Sequence, residues 1–324
     1  MVGLLDPLKV KKYTFCNRVV MPPMLTNLAA TDGSVTDKLV DHYVRRCNML
    51  GLLIIEAAYV SVGGSASEKQ LGIYSDLLIP GLKRLAQAVH DKGTPVVVQI
   101  AHSGSKAYTG SVGLQPVAPS ATDSARELTL NEIEGLLGEF AEAARRALAA
   151  GFDGVEVHGA HGVLVNQFFS PLTNKRRDRY GGSLENRMRF PLEVVERIKE
   201  EVGNGILLYR IGAEDLTPGG TKIEDSIKLA KRLEELGVDV IDVSGGLCGS
   251  RPPQLQNIPG YFVPQAKKIK NKVSMPVIGV GNIKDPRYAN SLIEEEAVDL
   301  VAIGRQLMND PDWVLKAVKA LENI

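Results

Sequence analysis

Cysteine is scarce in this chain, and three cysteines among 324 residues exclude a disulfide-stapled scaffold. Cys16, Cys47 and Cys248 lie too far apart for a C-x-x-C metal or redox motif. Long apolar runs are also missing: the longest, residues 50–55, ends at Glu56, far short of the roughly 20 residues that span a bilayer. The N-terminus has neither the basic start nor the apolar stretch of a signal peptide. We therefore expect a cytoplasmic protein without a membrane segment.

An excess of either charge is absent as well. Because 38 basic residues balance 38 acidic ones, neither nucleic acid nor an anionic membrane is an expected partner. What remains is a globular composition, with 44% apolar residues in a chain long enough to bury a large core. Length alone allows one domain or two, so the pattern along the chain has to decide.

Short apolar runs alternate with longer segments of helical period throughout the chain. Strands are predicted at residues 18–21, 51–60, 95–101, 152–158, 205–211, 238–244, 276–280 and 298–303. Helices are predicted at residues 36–50, 78–92, 129–150, 184–202, 221–236, 261–272, 285–296 and 311–322. Eight βα units in succession predict an α/β fold, a single (β/α)₈ TIM barrel forming one domain over residues 1–324. An open doubly wound sheet would need a G-x-G-x-x-G turn after its first strand, and residues 21–25 contain none.

Two helix starts carry capping signals. Thr129 with Glu132, and Thr221 with Glu224, have the spacing of capping boxes, in which a hydroxyl and a carboxylate satisfy free backbone donors. We therefore expect helices to begin at these two threonines.

Polar residues cluster where the predicted strands end. Active sites of TIM barrels lie at the carboxyl ends of the strands. The candidates at those ends are Glu56, Gln99, His102, His158, His161, Arg210, Asp242, Ser244, Asn282 and Arg305.

The segment that begins His158-Gly-Ala-His161 resembles a motif of the old yellow enzyme family, FMN-dependent ene reductases built on a (β/α)₈ barrel. The match runs through residues 158–171 and 180–190, and shorter matches occur at residues 17–24, 56–57, 99–102, 210 and 303–305. It covers essentially the whole chain. The resemblance implies a flavoenzyme with FMN as cofactor and NADH or NADPH as electron donor.

The resemblance also implies which residues hold the flavin. Glycines after strands 7 and 8, together with an arginine, would bind its phosphate, since glycine lets the backbone approach an anion and a guanidinium can bind it through two hydrogen bonds. The amide of Gln99 would pair with the pyrimidine edge, and Arg210 would stabilise negative charge near N1 and O2. The implied cofactor-binding residues are Pro22, Pro23, Met24, Ala57, Gln99, Arg210, Gly281, Asn282, Gly304 and Arg305. From the residues alone, the glycines could serve only tight turns, and Arg210 could form a buried ion pair with Glu56 or Asp242.

His158 and His161 match the family's pair that binds an electron-withdrawing oxygen of the substrate, and these are the implied catalytic residues. Two ring N–H donors on a carbonyl oxygen would stabilise enolate character in the transition state. From the sequence, two alternatives stay open for this pair. The histidines could be two ligands of a metal site, although no third ligand is placed and we expect no metal. They could also be a structural pair.

The chain differs from many family members at three positions, and it lacks a cysteine-rich segment that larger members carry. Val163 stands where many relatives carry the tyrosine that protonates the α-carbon, which leaves water, Tyr108, Tyr261 or Cys248 as proton donors. Leu25 replaces a Cys or Thr that tunes the flavin potential, and Ser105 replaces an arginine. Larger relatives append a cysteine-rich iron–sulfur segment, and no cysteine follows Cys248.

These features predict an NAD(P)H-dependent reductase of activated C=C bonds in α,β-unsaturated carbonyl compounds. A reductase of quinones, nitro compounds or flavin is the alternative that Val163 favours. A flavin-bearing subunit of a larger redox complex, and a flavin-free barrel isomerase or aldolase, are further readings. The substrate, the choice of nicotinamide, a homo-oligomeric state and an electron-donating partner subunit stay open.

Overall fold

The computed structural model describes residues 2–110 and 113–322. In this part of the chain the strands are β1 (Leu8–Val10), β2 (Tyr13–Phe15), β3 (Val19–Met21), β4 (Leu52–Tyr59), β5 (Val96–Ala101), β6 (Val117–Ala118), β7 (Arg126–Glu127), β8 (Gly154–Gly159), β9 (Ile206–Gly212), β10 (Val240–Ser244), β11 (Val277–Gly279) and β12 (Leu300–Ala302). The helices are α1 (Asp37–Val44), α2 (Ile79–His90), α3 (Leu130–Ala149), α4 (Leu164–Phe169), α5 (Leu184–Val202), α6 (Ile223–Leu236), α7 (Val263–Lys270), α8 (Pro286–Glu294), α9 (Arg305–Asn309) and α10 (Trp313–Glu322).

Eight parallel strands close into one barrel in the order β10-β11-β12-β3-β4-β5-β8-β9, which confirms the predicted TIM barrel. Each of these strands falls on one of the predicted apolar runs. The runs are continuous because one face of each strand packs into the barrel and the other against the helices. The hairpin β1-β2, the pair β6-β7 and the short helices α4 and α9 were not predicted; they are too brief to show a period in the sequence.

The helix starts agree with the sequence in one case and differ in the other. Thr129 caps α3 in a complete capping box with Glu132. The box expected at Thr221 and Glu224 is wrong by one residue, because Lys222 is the N-cap of α6 and its backbone N–H donates to Asp225. The Thr221 N–H instead donates to Asp215 in the preceding loop. Within residues 2–110 and 113–322, no helix combines the length and the apolar character needed to cross a membrane.

The lower half of the barrel interior is apolar. Val10 and Phe15 of the β1-β2 hairpin pack into one cluster with inward-facing strand side chains such as Leu208. Lys11 fixes the hairpin to the amino ends of the strands, since its Nζ lies 2.8 Å from an Asp239 carboxylate oxygen and donates to the Gly205 carbonyl. The hairpin therefore closes this end, and polar chemistry is confined to the carboxyl ends.

An irregularity in β4 decides which side chains of that strand face the interior. The register between β4 and β5 shifts between Ile55 and Ala58. Glu56 accepts hydrogen bonds from Tyr43 of α1 and from Thr26, so it points away from the barrel axis. Ala57 instead faces the cavity at the carboxyl ends. A bulge of this kind re-aims the side chains around it.

Candidate functional site

Two adjoining cavities open at the carboxyl ends of the barrel strands. The histidine cavity, of about 260 Å³, is lined by Pro23, Met24, Leu25, Ala57, Ala66, Gln70, Gln99, Ala101, Ser103, His158, His161, Val163, Arg210 and Ser250. The glycine cavity, of about 120 Å³, is lined by Pro22, Met24, Arg210, Ser244, Ser250, Arg251, Tyr261, Val280, Gly281, Asn282, Ile283, Lys284, Ala302, Gly304, Arg305 and Gln306. The two share Met24, Arg210 and Ser250 as walls.

The structure brings together every residue that the resemblance assigned to catalysis or to cofactor binding. Pro23, Ala57, Gln99, His158 and His161 line the histidine cavity. The residues that line the glycine cavity are Pro22, Gly281, Asn282, Gly304 and Arg305. Met24 and Arg210 line both. The geometry is thus consistent with one elongated ligand that reaches from the histidines to the glycines.

A polar layer of four buried side chains lies beneath the histidine cavity, one from each of four neighbouring strands. Arg210 on β9 is the register partner of Asp242 on β10, and its Nε lies 3.1 Å from Asp242 Oδ2. The pair is an ion pair by distance, but the atoms are not aligned for a hydrogen bond. Gln99 on β5 donates from Nε2 to Oε2 of Glu156 on β8, at 2.7 Å. Of the two partners expected for Arg210, the structure selects Asp242.

His158 and His161 stand side by side at the end of β8. Their ring centroids are 5.0 Å apart and their planes are nearly perpendicular. Burial, and the positive charge of Arg210, lower the pKa of His158 to about 3 and place that of His161 well below its ordinary value. Both rings are therefore neutral, so each carries one N–H donor. Among the described residues, no three His, Cys, Asp or Glu side chains group as metal ligands.

His161 is held by two further contacts, one to its ring and one to its backbone. Its Nε2 lies 2.7 Å from Ser244 Oγ at the end of β10, and Lys106 Nζ donates to its backbone carbonyl. His161 adopts a left-handed backbone with φ of 56°. This conformation is uncommon outside glycine and costs about 1 kcal/mol or more, which the contacts to Ser244 and Lys106 help to offset. The His158 Nδ1, in contrast, is buried without a hydrogen-bond partner.

Two glycines of the glycine cavity lie where neighbouring protein atoms leave little or no room for a side chain. Gly281 has φ of 127°, and a Cβ there would lie 2.8 Å from the Tyr261 backbone nitrogen. Asn282 follows with φ of 49°. A Cβ on Gly304 would lie 3.1 Å from Met24 Sδ, so this glycine packs closely on the proline-rich wall after β3. Arg305, which starts α9, lines this cavity together with three other cationic side chains, those of Arg210, Arg251 and Lys284.

Two polar residues predicted at strand ends lie elsewhere. Glu56 is turned outward by the bulge in β4, where burial raises its pKa to about 7. His102 is buried after β5 and accepts from the Gly104 N–H; it faces a separate cavity against α3. In both cases the strand pattern identified the position along the chain but not the direction of the side chain.

The candidate proton donors are placed as follows. Tyr261 lines the glycine cavity, with its hydroxyl donating to the Ser250 carbonyl. Cys248 donates from Sγ to the Glu214 carbonyl, and Tyr108 is exposed and lines neither cavity. None of the three contributes to the wall of the histidine cavity, where Val163 stands.

Several residues of the site were missed from the sequence. Ser250 and Arg251 come from the loop after β10, which has no pattern to read. Glu156 had a signal, because it lies two residues before His158 on one strand and must share its inward face. Applying that alternation would have placed a carboxylate beneath the histidines.

Comparison with known proteins gives a consistent result. A model of the NADH:flavin oxidoreductase / NADH oxidase family matches residues 3–323. An NADH oxidase of Thermoanaerobacter brockii is 46% identical over 320 residues, which are 95% of this chain and 49% of the relative, so the chain spans about half of that protein. An NADPH dehydrogenase of Geobacillus sp. (strain WCH70) is 40% identical over 326 residues, covering 98% of this chain and 94% of the relative. The structure of an old yellow enzyme homologue from Zymomonas mobilis superposes with a TM-score of 0.86 at 30% identity, over 98% of this chain and 93% of that one.

Proposed function

We propose that this chain reduces activated C=C bonds of α,β-unsaturated carbonyl compounds. The chain belongs to the NADH:flavin oxidoreductase / NADH oxidase family, and it is thereby an FMN-dependent NAD(P)H oxidoreductase of the old yellow enzyme type. The observation that carries the proposal is the pair His158 and His161, two neutral N–H donors on one wall of a small cavity whose floor is Arg210.

The two cavities fit FMN in their charge and shape. Arg210 presents a buried guanidinium whose Nε lacks a hydrogen-bond acceptor, which suits the side of a flavin on which negative charge collects. Gly281 offers backbone where a Cβ would clash, and Arg305 adds a cation, as a phosphate requires. We assign the flavin ring to the histidine cavity and the phosphate to the glycine cavity. FMN, when bound, accepts a hydride from NADH or NADPH and passes it on to the substrate.

The protein's own part in the reaction is to polarise the substrate and to exclude water. His158 and His161 donate to the carbonyl oxygen, drawing electron density away from the β-carbon as the enolate develops. Because burial keeps both rings neutral, their donor strength does not change over the physiological pH range. Met24 and Ala57 form an apolar wall beside the ring position.

The α-carbon must also receive a proton, and Val163 cannot supply one. Val163 lines the histidine cavity, and we propose that a water molecule in this cavity donates the proton to the α-carbon. The same residue favours a second function, the reduction of quinones, nitro compounds or free flavin, in which no carbon has to be protonated. A third function, a flavin-bearing part of a larger redox assembly, is favoured by the NADH oxidase relative, of which the chain spans 49%.

We further propose that residues 1–324 act as one FMN-binding domain in the cytoplasm, with a small molecule as substrate. The family match over residues 3–323 supports the single unit. Size-exclusion chromatography with light scattering measures whether the protein self-associates and whether it binds an electron-donating partner.

A steady-state comparison tests the proposal. The purified protein is expected to show a flavin spectrum that NADH or NADPH bleaches under anaerobic conditions. It should then turn over a cyclic enone at least as fast as a quinone. Strong quinone turnover with negligible enone turnover would shift the assignment to the second function, and the absence of bound flavin would overturn both.

A further inference from the structure

Glu156 is an ionisable member of the polar layer that the proposed reaction does not use. It is fully buried on β8, two residues before His158. Its Oε2 accepts from the Gln99 amide, and its Oε1 has no partner. A buried carboxyl with half of its hydrogen-bonding capacity unmet is unusual and calls for an explanation.

The layer holds more acid than base. Three side chains face Glu156 from neighbouring strands: Arg210 from β9, Asp242 from β10 and the neutral amide of Gln99 from β5. His158, which lies above Glu156 on β8, is also neutral. Glu56 of β4 points away, towards Tyr43. Two carboxyls therefore share one guanidinium. Because an unpaired charge in a dry interior is expensive, one of the two carboxyls is expected to hold a proton.

The geometry decides which carboxyl holds it. Asp242 lies 3.1 Å from the Arg210 guanidinium and is its ion-pair partner. Burial raises the pKa of Asp242, but Arg210 opposes that rise. Glu156 has only an amide as its hydrogen-bond partner, and burial together with the charge of Asp242 raises its pKa to about 8 although Arg210 opposes this rise too. Glu156 is therefore the neutral acid at pH 7, and Asp242 the carboxylate.

We propose that Glu156 is a positioning residue that holds a proton beneath the flavin and binds it more tightly when the flavin is reduced. Glu156 acts through Gln99, because it orients the Gln99 amide towards the cavity. It also acts through Arg210, because a neutral Glu156 does not compete with Asp242 for the guanidinium. With FMN bound, hydride transfer from the nicotinamide would form a bond to the flavin, oxidise the nicotinamide and add one negative charge to the flavin side that Arg210 would hold. That charge disfavours ionisation of Glu156, so solvent supplies the balancing proton around and above pH 8. This step rests on the proposed placement of the flavin.

The test compares the midpoint potential of the bound flavin in wild type and in E156Q, which keeps the shape of a neutral Glu156. At about pH 6 the two proteins should have the same potential, and at about pH 9 wild type should be lower, because only wild type gains a carboxylate. D242N should move the onset of this difference to lower pH, since Asp242 helps to raise the pKa of Glu156. Equal potentials of wild type and E156Q at both pH values would overturn the redox linkage.

Infrared spectroscopy tests the proton directly. The protein in D₂O should show a carboxylic-acid C=O band that shifts on H/D exchange and is missing in E156Q. Its absence from wild type near neutral pH would overturn the assignment of the proton. If the chain bound no flavin, the proposed function and the redox linkage would both fail, but this band would still decide whether Glu156 is protonated.

Discussion

His161 Nε2 lies 2.7 Å from the hydroxyl of Ser244, so one nitrogen of the proposed substrate-binding ring is already engaged by the protein. A hydroxyl that donates to Nε2 leaves the N–H on Nδ1 and fixes the tautomer of a neutral imidazole. Replacing Ser244 by alanine removes this restraint and leaves a ring nitrogen without a partner. We expect S244A to lower kcat/KM for an enone by about 5- to 10-fold, the equivalent of roughly one hydrogen bond. An S244T variant, which keeps the hydroxyl, should stay near wild type, and equal losses in both would contradict this role.

The histidine pair is tested by removing and then restoring one donor. H161A should slow the reoxidation of the reduced enzyme by an enone by about 100-fold, the usual effect of losing one donor to a developing oxyanion. H161N keeps an N–H donor on a side chain of similar reach and should retain most of the rate. Stopped-flow measurement of that half-reaction separates it from reduction by the nicotinamide. An H161A rate equal to wild type would remove His161 from the reaction.

Val163 offers a gain-of-function test. If protonation of the α-carbon limits enone turnover, V163Y should raise the rate about 10-fold or more, since a positioned general acid contributes about 10²- to 10⁴-fold. V163F, of similar size but without a hydroxyl, is the matched control and should not. Turnover of a quinone should not rise in either variant. A V163Y enzyme no faster than V163F on the enone would show that proton delivery is not the slow step.

Arg305 should matter for the phosphate of the cofactor and not for its ring. R305A is expected to weaken FMN binding by about 10- to 100-fold, the equivalent of about 1.5–3 kcal/mol for a hydrogen bond to a charged group. R305K should recover part of the loss, since a lysine keeps the charge but not the two-point geometry. Quenching of flavin fluorescence measures both. Riboflavin, which lacks the phosphate, should bind wild type and R305A alike, and a loss there would place Arg305 against another part of the cofactor.

Glu56 gives a pH-dependent prediction on stability. Burial raises its pKa in the folded protein from an ordinary 4.5 to about 7. The folded state thus keeps a proton that the unfolded state releases, so stability from this group is full below about pH 4.5 and is lost as the pH rises to about 7. E56Q removes this titration. Between about pH 4.5 and about pH 7, the free energy of unfolding of E56Q should therefore rise relative to that of wild type by up to about 3 kcal/mol. Urea unfolding at both ends of the range checks it; parallel curves for the two proteins would contradict it.

The barrel could be predicted from sequence because its strands are buried on both faces and read as continuous apolar runs, as in residues 95–101 and 205–211. The order of the strands then placed Gln99, His158 and Arg210 at one end. What failed was direction: the bulge at Ile55 turns Glu56 outward, and no residue type in β4 announces it. The capping box at Thr221 failed because the Thr221 N–H donates to Asp215 and α6 starts one residue later, at Lys222, whose backbone N–H donates to Asp225.

The polar layer could be predicted from the sequence only in part. Arg210 beside Asp242, and Gln99 beside Glu156, follow from strand register, which is fixed only when the barrel closes. Alternation along β8 was enough to find Glu156, but not to pair it with Gln99, since those residues are 57 apart in sequence. Pairings of this kind belong to the closed sheet and not to any local pattern.

The most direct test of the central claim follows the hydride itself. Under anaerobic conditions the enzyme is mixed with a cyclic enone and with NADH or NADPH that carries deuterium at the transferable position of the nicotinamide, so that the enone is present before the transferred deuterium can exchange with solvent. The proposed function predicts that reoxidation yields the saturated ketone with deuterium on the β-carbon, and that the α-carbon takes its hydrogen from solvent. Reduced flavin that leaves the enone unchanged, but is reoxidised by a quinone or by oxygen, would contradict it.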